Sequence, residues 1–351
     1  MKTFEKTAGW SGCALLLGAT ASLLLLSGTL ASAQTTFIWQ SANGSWNTTA
    51  YWIPAGPPYG IDNTIGSTSP SGGRTITLDG NHTIGNINFT VNNNRSYTIN
   101  SGTPSTSVLT LQVSSGTPSA NVIAGASAGF LTINAPVAGT QGLTKGGIGT
   151  LVLGGVDTYT GTTTLSLGNL VINGSLASGS PVIVNNTGTQ PGLGGAGTIN
   201  DGVTLNSGGT ISPGNITLVG TAPAPQVGTL TAGSLTWNGG GKMAFQLGDP
   251  SSSANSDQLV LGGALTKGTA GTFNFTITQN TGFSTSATYT LMTFGSDSGF
   301  SAIDFGGAPT GMEFDLTSTS LLLDPVPEPA TFALLGMGGL IAGWQIRRRK
   351  A

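Results

Sequence analysis

Short alternations of apolar and polar residues recur through the middle of the chain. Leu151-Val152-Leu153, Leu165-Ser166-Leu167 and Leu170-Val171-Ile172 place apolar side chains at every second position, the period of a strand buried on one face. Glycine followed by Thr, Ser or Asn and an aliphatic residue recurs with them, as in Gly149-Thr150-Leu151, Gly168-Asn169-Leu170, Gly209-Thr210-Ile211 and Gly228-Thr229-Leu230. Leu151 to Leu170 is 19 residues, and Ile211 to Leu230 is again 19. Strands this short at a step near 20 predict a β-solenoid, whose turns bury one side of their strands on each other while Gly, Asn and Ser form the corners. The expected fold is all-β, a right-handed parallel β-helix; a β-sandwich with coincidental turn spacing is the alternative. The roughly 290 residues of the middle, at ~20 per turn and ~4.8 Å between strands, predict a rod on the order of 70 Å long.

Two apolar runs at the ends break this pattern. Residues 1–33 have the form of a signal peptide: Lys2 and Lys6 are basic, Ala14 to Ser27 is apolar, and Ala31-Ser32-Ala33 supplies small residues before Gln34. Signal peptidase is the implied partner, with cleavage between Ala33 and Gln34. About 14 apolar residues are short for an uncleaved anchor, which needs ~20. The one cysteine, Cys13, lies within this segment, so the mature chain would have no thiol nucleophile, disulfide or Cys metal site.

At the other end, Val326-Pro327-Glu328-Pro329 is followed by the uncharged apolar run Ala330 to Ile346 and by Arg347, Arg348, Arg349 and Lys350. Seventeen helical residues rise ~25 Å, close to a ~30 Å hydrocarbon core, and the basic residues form a membrane stop that stays in the cytoplasm. Pro327, Glu328 and Pro329, the helix and the Arg cluster, in that order at residues 325–351, resemble the PEP-CTERM sorting signal of Gram-negative bacteria. The resemblance implies an exosortase-type membrane protease as partner, acting near Pro-Glu-Pro, with transient inner-membrane anchoring before delivery to the cell surface or matrix. The bland reading is a simple tail anchor.

A second resemblance covers about 35 residues. Gly142-Leu143-Thr144-Lys145-Gly146-Gly147-Ile148-Gly149-Thr150-Leu151-Val152-Leu153, with Asp157-Thr158-Tyr159-Thr160-Gly161 and Gly168-Asn169-Leu170-Val171, is similar to the autotransporter-associated β-strand repeat. In that family the pattern is a lysine-glycine turn, a strand, an Asn-Thr-Tyr-Thr-Gly corner and a second strand; Asp157 stands where Asn is commoner. The resemblance implies a parallel β-helix passenger and no particular reaction. The expected organisation is a signal peptide at 1–33, an N-terminal cap and first turns at 34–140, and solenoid carrying the repeat at 141–270. Closing strands at 271–324 and the sorting signal at 325–351 complete it.

Composition narrows the function. Of 351 residues 57 are Gly and only 7% are charged, against about 25% charged in an ordinary soluble domain. The formal charge of −2 averages two basic ends and a middle, Gln34 to Val326, with five basic and eleven acidic residues. Without a basic stripe, nucleic acid is not an expected partner. Hydrophobic residues at 38% also exclude a disordered chain.

Candidate chemistry is sparse. Gly192-Leu193-Gly194-Gly195-Ala196-Gly197 fits a dinucleotide fingerprint in letters, but a strand and turn follow it instead of a helix, so it reads as a solenoid corner. His82, the one histidine, reads as a solvated turn residue in Asp79-Gly80-Asn81-His82-Thr83. Asp297, Asp304, Glu313 and Asp315 concentrate acid, and Glu313 and Asp315 would share a strand face, but adjacent Asp pairs and a Gly-His-Gly segment are missing. No cofactor is expected, and the chain is read as a non-enzyme. Trp39, Trp46 and Trp52 read first as a solenoid cap that buries the end of the core, and second as a candidate platform for exopolysaccharide or cell-surface glycans. The function expected is therefore a structural surface or matrix protein. A glycan-binding adhesin is the alternative, and a β-helix polysaccharide hydrolase or lyase stands behind it.

Overall fold

The computed structural model describes residues 34–67, 73–91, 96–124, 129–185, 192–214 and 227–327. The signal segment with Ala31 and Ala33, and the stretch from Glu328 through Pro329 to Arg347, Arg348, Arg349 and Lys350, lie outside the described residues. Among those described the regular structure is nearly all strand, with three short 3-10 turns and no α-helix.

Parallel registers define the architecture. Within the repeat, one turn consists of Leu143–Gly146, Thr150–Leu153 and Val156–Asp157, and the next of Thr163–Leu165, Asn169–Ile172 and Ser175–Leu176. Leu143 pairs with Thr163, Leu151 with Leu170, and Val156 with Ser175, so each strand lies on the equivalent strand of the next turn. Three strands per turn generate three stacked faces. The second face is the most regular, an eleven-stranded sheet from Asn43–Ser45 to Phe305–Gly306. Alternation points one side chain of each pair inward: Leu151, Leu153, Leu165, Leu170, Ile172 and Leu176 are all fully buried. At two places the first and third faces fuse, because Thr198–Leu205 and Thr229–Trp237 run through the corner as single strands with a register shift between Ile199 and Gly202. The sandwich alternative fails on these registers, since a sandwich pairs its strands antiparallel.

Turn length varies where a constant step was expected. The 19-residue step from Leu151 to Leu170 is a true turn. The second 19-residue step is a coincidence: Ile211 lies on the second face, paired with Met243, whereas Leu230 pairs with Leu259. Near the C-terminal end the real turn is longer, Ile211 to Met243 and Met243 to Phe275 being 32 residues each. Longer turns mean fewer of them. The eleven strands of the second face span about 48 Å at ~4.8 Å spacing, in place of the rod of ~70 Å.

Antiparallel strands close both ends. Trp52–Ile53 pairs with Thr36–Trp39 outside the first turn. At the other end Ser320–Pro325 lies between Tyr289–Thr293 and Met312–Leu316, antiparallel to both. Reversing the strand direction at the ends spoils the template that an open parallel stack would offer to other chains.

Asparagines reinforce one corner. Asn206 donates to Asn185 at 2.6 Å and Asn238 donates to Asn206 at 2.7 Å, a ladder running through three turns.

Candidate functional site

The first candidate is the point where the chain leaves the coil for its sorting segment. Ser320–Pro325 is held on both edges, with Met312 opposite Pro325 and Tyr289 opposite Leu323. The Thr288 hydroxyl donates to Asp324 at 2.5 Å, and the Val326 N–H donates to the Gly311 carbonyl at 2.9 Å. Val326 and Pro327 then stand exposed. Pro325 and Pro327 carry no N–H, so ladder pairing ends with this strand. Proline spacing in the sequence located this junction; the clamp behind it was not readable. Its consequence is that a cut beyond Pro327 leaves every strand of the body paired.

The second candidate, the tryptophan platform, requires correction. Trp39, Trp46 and Trp52 are 1%, 0% and 1% exposed, which leaves no ring face for a sugar. They pack edge to face in a chain, with centroids 4.9 Å apart for Trp39 and Trp52 and 5.0 Å for Trp46 and Trp52. The Trp52 indole N–H donates to the Trp46 carbonyl at 2.8 Å. Burial is forced by the first turn, whose outward end would otherwise expose the core.

His82 is corrected as well. Instead of a solvated turn residue it begins the strand His82–Ile84, is 4% exposed, and stacks on Trp46 at 4.8 Å. Its Nε2 lies 3.2 Å from Asp79, and burial holds its pKa below the usual histidine range while that carboxylate opposes the shift. Asp79 also accepts hydrogen bonds from Ser45 and from the Asn47 N–H. The carboxylate therefore sits between serine and histidine. A nucleophilic triad needs the histidine in the middle, so this grouping cannot activate Ser45.

Three further ionisable side chains are buried. Lys145, expected in a lysine-glycine turn, lies within the strand Leu143–Gly146 with its side chain inside the coil, 0% exposed, and burial pulls its pKa down to about 7. Asp157 and Asp257 are 2% and 0% exposed, and burial raises each to about 7 against the opposing pull of backbone N–H donors. Asp157 accepts from the Val137 N–H at 2.8 Å, tying the repeat corner to the preceding turn. Asp257 accepts from the N–H groups of Gly228 and Gln246 at 2.9 and 2.8 Å. For Lys145 a signal existed, since it shares strand parity with buried Leu143. The same signal existed for Asp157, which is in phase with buried Leu153 and Tyr159.

Glu313 and Asp315 do share a face, exposed on the closing strand Met312–Leu316. Asp304 is neutralised by Lys267 at 2.6 Å. The fingerprint glycines Gly192 to Gly197 form the short strand Leu193–Gly195 and the corner before Thr198–Leu205, so a strand occupies the place where a pyrophosphate-binding helix would stand. Among the described residues no helix is long and apolar enough to cross a membrane.

Comparison with known proteins agrees with the position of the first candidate. Over 214 residues, 59% of its length, the chain is 30% identical to the adhesin BmaC autotransporter of Brucella suis biovar 1 (strain 1330). It spans only 5% of that much longer relative. Residues 325–350 match the PEP-CTERM protein-sorting motif, so the strand that closes the coil leads directly into a sorting signal.

Proposed function

We propose that this chain is an exported, non-enzymatic structural protein of the cell surface or extracellular matrix of a Gram-negative bacterium. Signal peptidase removes residues 1–33. The apolar segment Ala330 to Ile346, with Arg347 to Lys350 as its stop, then anchors the chain in the inner membrane, and an exosortase-type protease releases the passenger near Pro327, Glu328 and Pro329. The observation that carries this reading is the sorting motif at 325–350, entered directly from a clamped closing strand. A right-handed parallel β-helix passenger accounts for the stacked registers by the usual hand of parallel crossovers. Charge scarcity supports a scaffold over a hydrolase or lyase.

Intact-mass analysis of protein recovered from envelope and medium tests the reading. Mature material is expected to begin at Gln34 and to lack Arg347 to Lys350. If the tail persists in all mature material, the segment is a permanent anchor and processing is refuted.

An adhesive role is the second reading, favoured by the likeness to a protein described as an adhesin. With the tryptophans buried, adhesion would have to use another surface.

A further inference from the structure

Three charged side chains gather at the C-terminal end of the coil, in a chain of which only 7% is charged. On the first face Leu235 pairs with Leu265 and Leu265 with Asp297, while Trp237 pairs with Lys267. Paired residues of parallel strands point to the same side, and Leu235, Leu265 and Trp237 lie in the core. Lys267 and Asp297 therefore face inward, in rows that otherwise carry leucine and tryptophan. The third charge, Asp304, ends the 3-10 turn Ala302–Asp304, 37 residues along the chain from Lys267.

The three are held together beside two phenylalanines. Lys267 Nζ lies 2.6 Å from Asp304 Oδ1, with the two side chains 26% and 20% exposed. The rings of Phe273 and Phe300 are centred 5.6 and 5.8 Å from the same nitrogen. Asp304 Oδ2 accepts from the Ser301 N–H at 2.8 Å and from the Ser301 hydroxyl at 3.0 Å, so the carboxyl group is fixed at both oxygens. The Lys267 ammonium holds this carboxyl below the usual carboxylate range, and the pair at rest is ionic. Asp297 is the member that an ion pair leaves unexplained. Its Oδ1 is enclosed and takes no hydrogen bond among the described residues. Burial raises its pKa and the Asp304 charge adds to the rise, against the N–H groups of Phe300 and Ser298 and the Lys267 charge. An ion pair needs one carboxylate. A second acid beside it, slow to give up its proton, is what condensation of the pair requires.

We propose that Lys267 and Asp304 condense to an intramolecular isopeptide bond, with Asp297 as the acid that relays the proton. A proton passes from the ammonium to the Asp304 carboxylate, and the freed Nζ lone pair attacks Cγ to form the C–N bond. Asp297 protonates the departing hydroxyl and takes the surplus proton from nitrogen. The Cγ–O bond breaks, one water leaves, and Asp297 ends as it began. Holding amine and acid in contact supplies an effective concentration on the order of 10⁵ M or more, which speeds a bond that free amine and acid form too slowly in water. The bond closes a loop containing Tyr289–Thr293, the strand against which Ser320–Pro325 is clamped. With Cys13 the chain's one cysteine, this is a covalent staple made without sulfur.

Peptide mapping of the full chain tests the bond. Denatured protein digested with trypsin and chymotrypsin is expected to yield a branched peptide joining Lys267 to Asp304, one water lighter than the sum of its arms. Trypsin should fail to cut after Lys267. Lys267→Arg keeps the charge and abolishes the branch, while Asp315→Asn, on the closing strand, leaves it in place. Asp297→Asn should slow its appearance at least about 100-fold in a time course after refolding, the usual contribution of a general acid. Cleavage after Lys267 with no branched peptide overturns the bond, and an undiminished rate in Asp297→Asn overturns the relay. Should that variant fail to fold by near-ultraviolet circular dichroism, wild type against Lys267→Arg still decides whether the bond exists. The sorting reading is judged on the presence of Arg347 to Lys350, so either conclusion can fail without the other.

Discussion

The ammonium of Lys145 lies 3.1 Å from the carbonyl oxygen of Leu167, one turn further along the coil, and 2.7 and 2.9 Å from those of Gly146 and Gly147. A single buried cation thus joins two turns at the corner where Gly147 and Gly168 both take positive φ. Burying a charge is costly, and here three carbonyl acceptors offset the lost water. Lys145→Met keeps the aliphatic stem and removes the donor. It should lower stability by about 1–3 kcal/mol in urea denaturation, the cost of leaving buried acceptors without their partner. A variant as stable as the parent would mean that desolvation cancels the three bonds.

Stability should pass through a minimum near neutral pH. Asp157 and Asp257 are raised from 3.8 to about 7, so between those values the folded state holds protons that the unfolded state has released. Their contribution is therefore fully present in acid and is lost as pH rises towards 7. Lys145 is lowered from 10.5 to about 7, so between 7 and 10.5 the unfolded state binds the extra proton and stability climbs with pH. Thermal midpoints measured from pH 4 to 10 should trace this valley, and Asp157→Asn should flatten its acid side. A profile that peaks at pH 7 would contradict both shifts.

Two glycines with similar backbone angles should respond differently to a methyl group. Gly168 has φ +68, and a Cβ there would lie 2.5 Å from the carbonyl oxygens of both Gly147 and Gly149. Gly116 has φ +84 and nothing within 4 Å of the added atom. Gly116→Ala should cost about 1 kcal/mol, the conformational penalty alone. Gly168→Ala must also push two turns apart and should cost at least about 2 kcal/mol, since strain adds to that penalty. Equal losses in chemical denaturation would show that the corner relaxes freely.

Trp46→Ala should act on folding and leave any sugar binding to follow the fold. The ring is fully buried between Trp52 and His82, and its removal should cost about 3–5 kcal/mol. Glycan depletion measured beside circular dichroism checks this. Lost binding with an undisturbed fold would return the tryptophans to the surface role.

Strand parity explains what could and could not be foreseen. His82 shares parity with Ile84, and Lys145 with Leu143, so alternation already placed both side chains inward. Residue type points the other way, because a charged or titratable group beside glycine ordinarily marks a solvated corner. Asp157 carries the same cue. Burial alternates without a break from Leu151 to Thr160, so Asp157 shares parity with buried Leu151, Leu153 and Tyr159 while Val156 is 68% exposed.

The sequence by itself determined the strand alternation, the true 19-residue turn from Leu151 to Leu170 and the sorting motif at the C-terminus. These are local patterns, carried by side-chain period or by adjacent residues. Tertiary structure decided which segments stack. Ile211 and Leu230 share a 19-residue spacing yet occupy different faces, because strand length fixes what fits on a face whereas excursions such as 248–257 lengthen a turn without disturbing the ladder. It also decided which inward-pointing positions are sealed from water, Lys145, Asp157 and Asp257 among them. A residue's burial depends on what the neighbouring turns place over it, and only the completed stack supplies those neighbours.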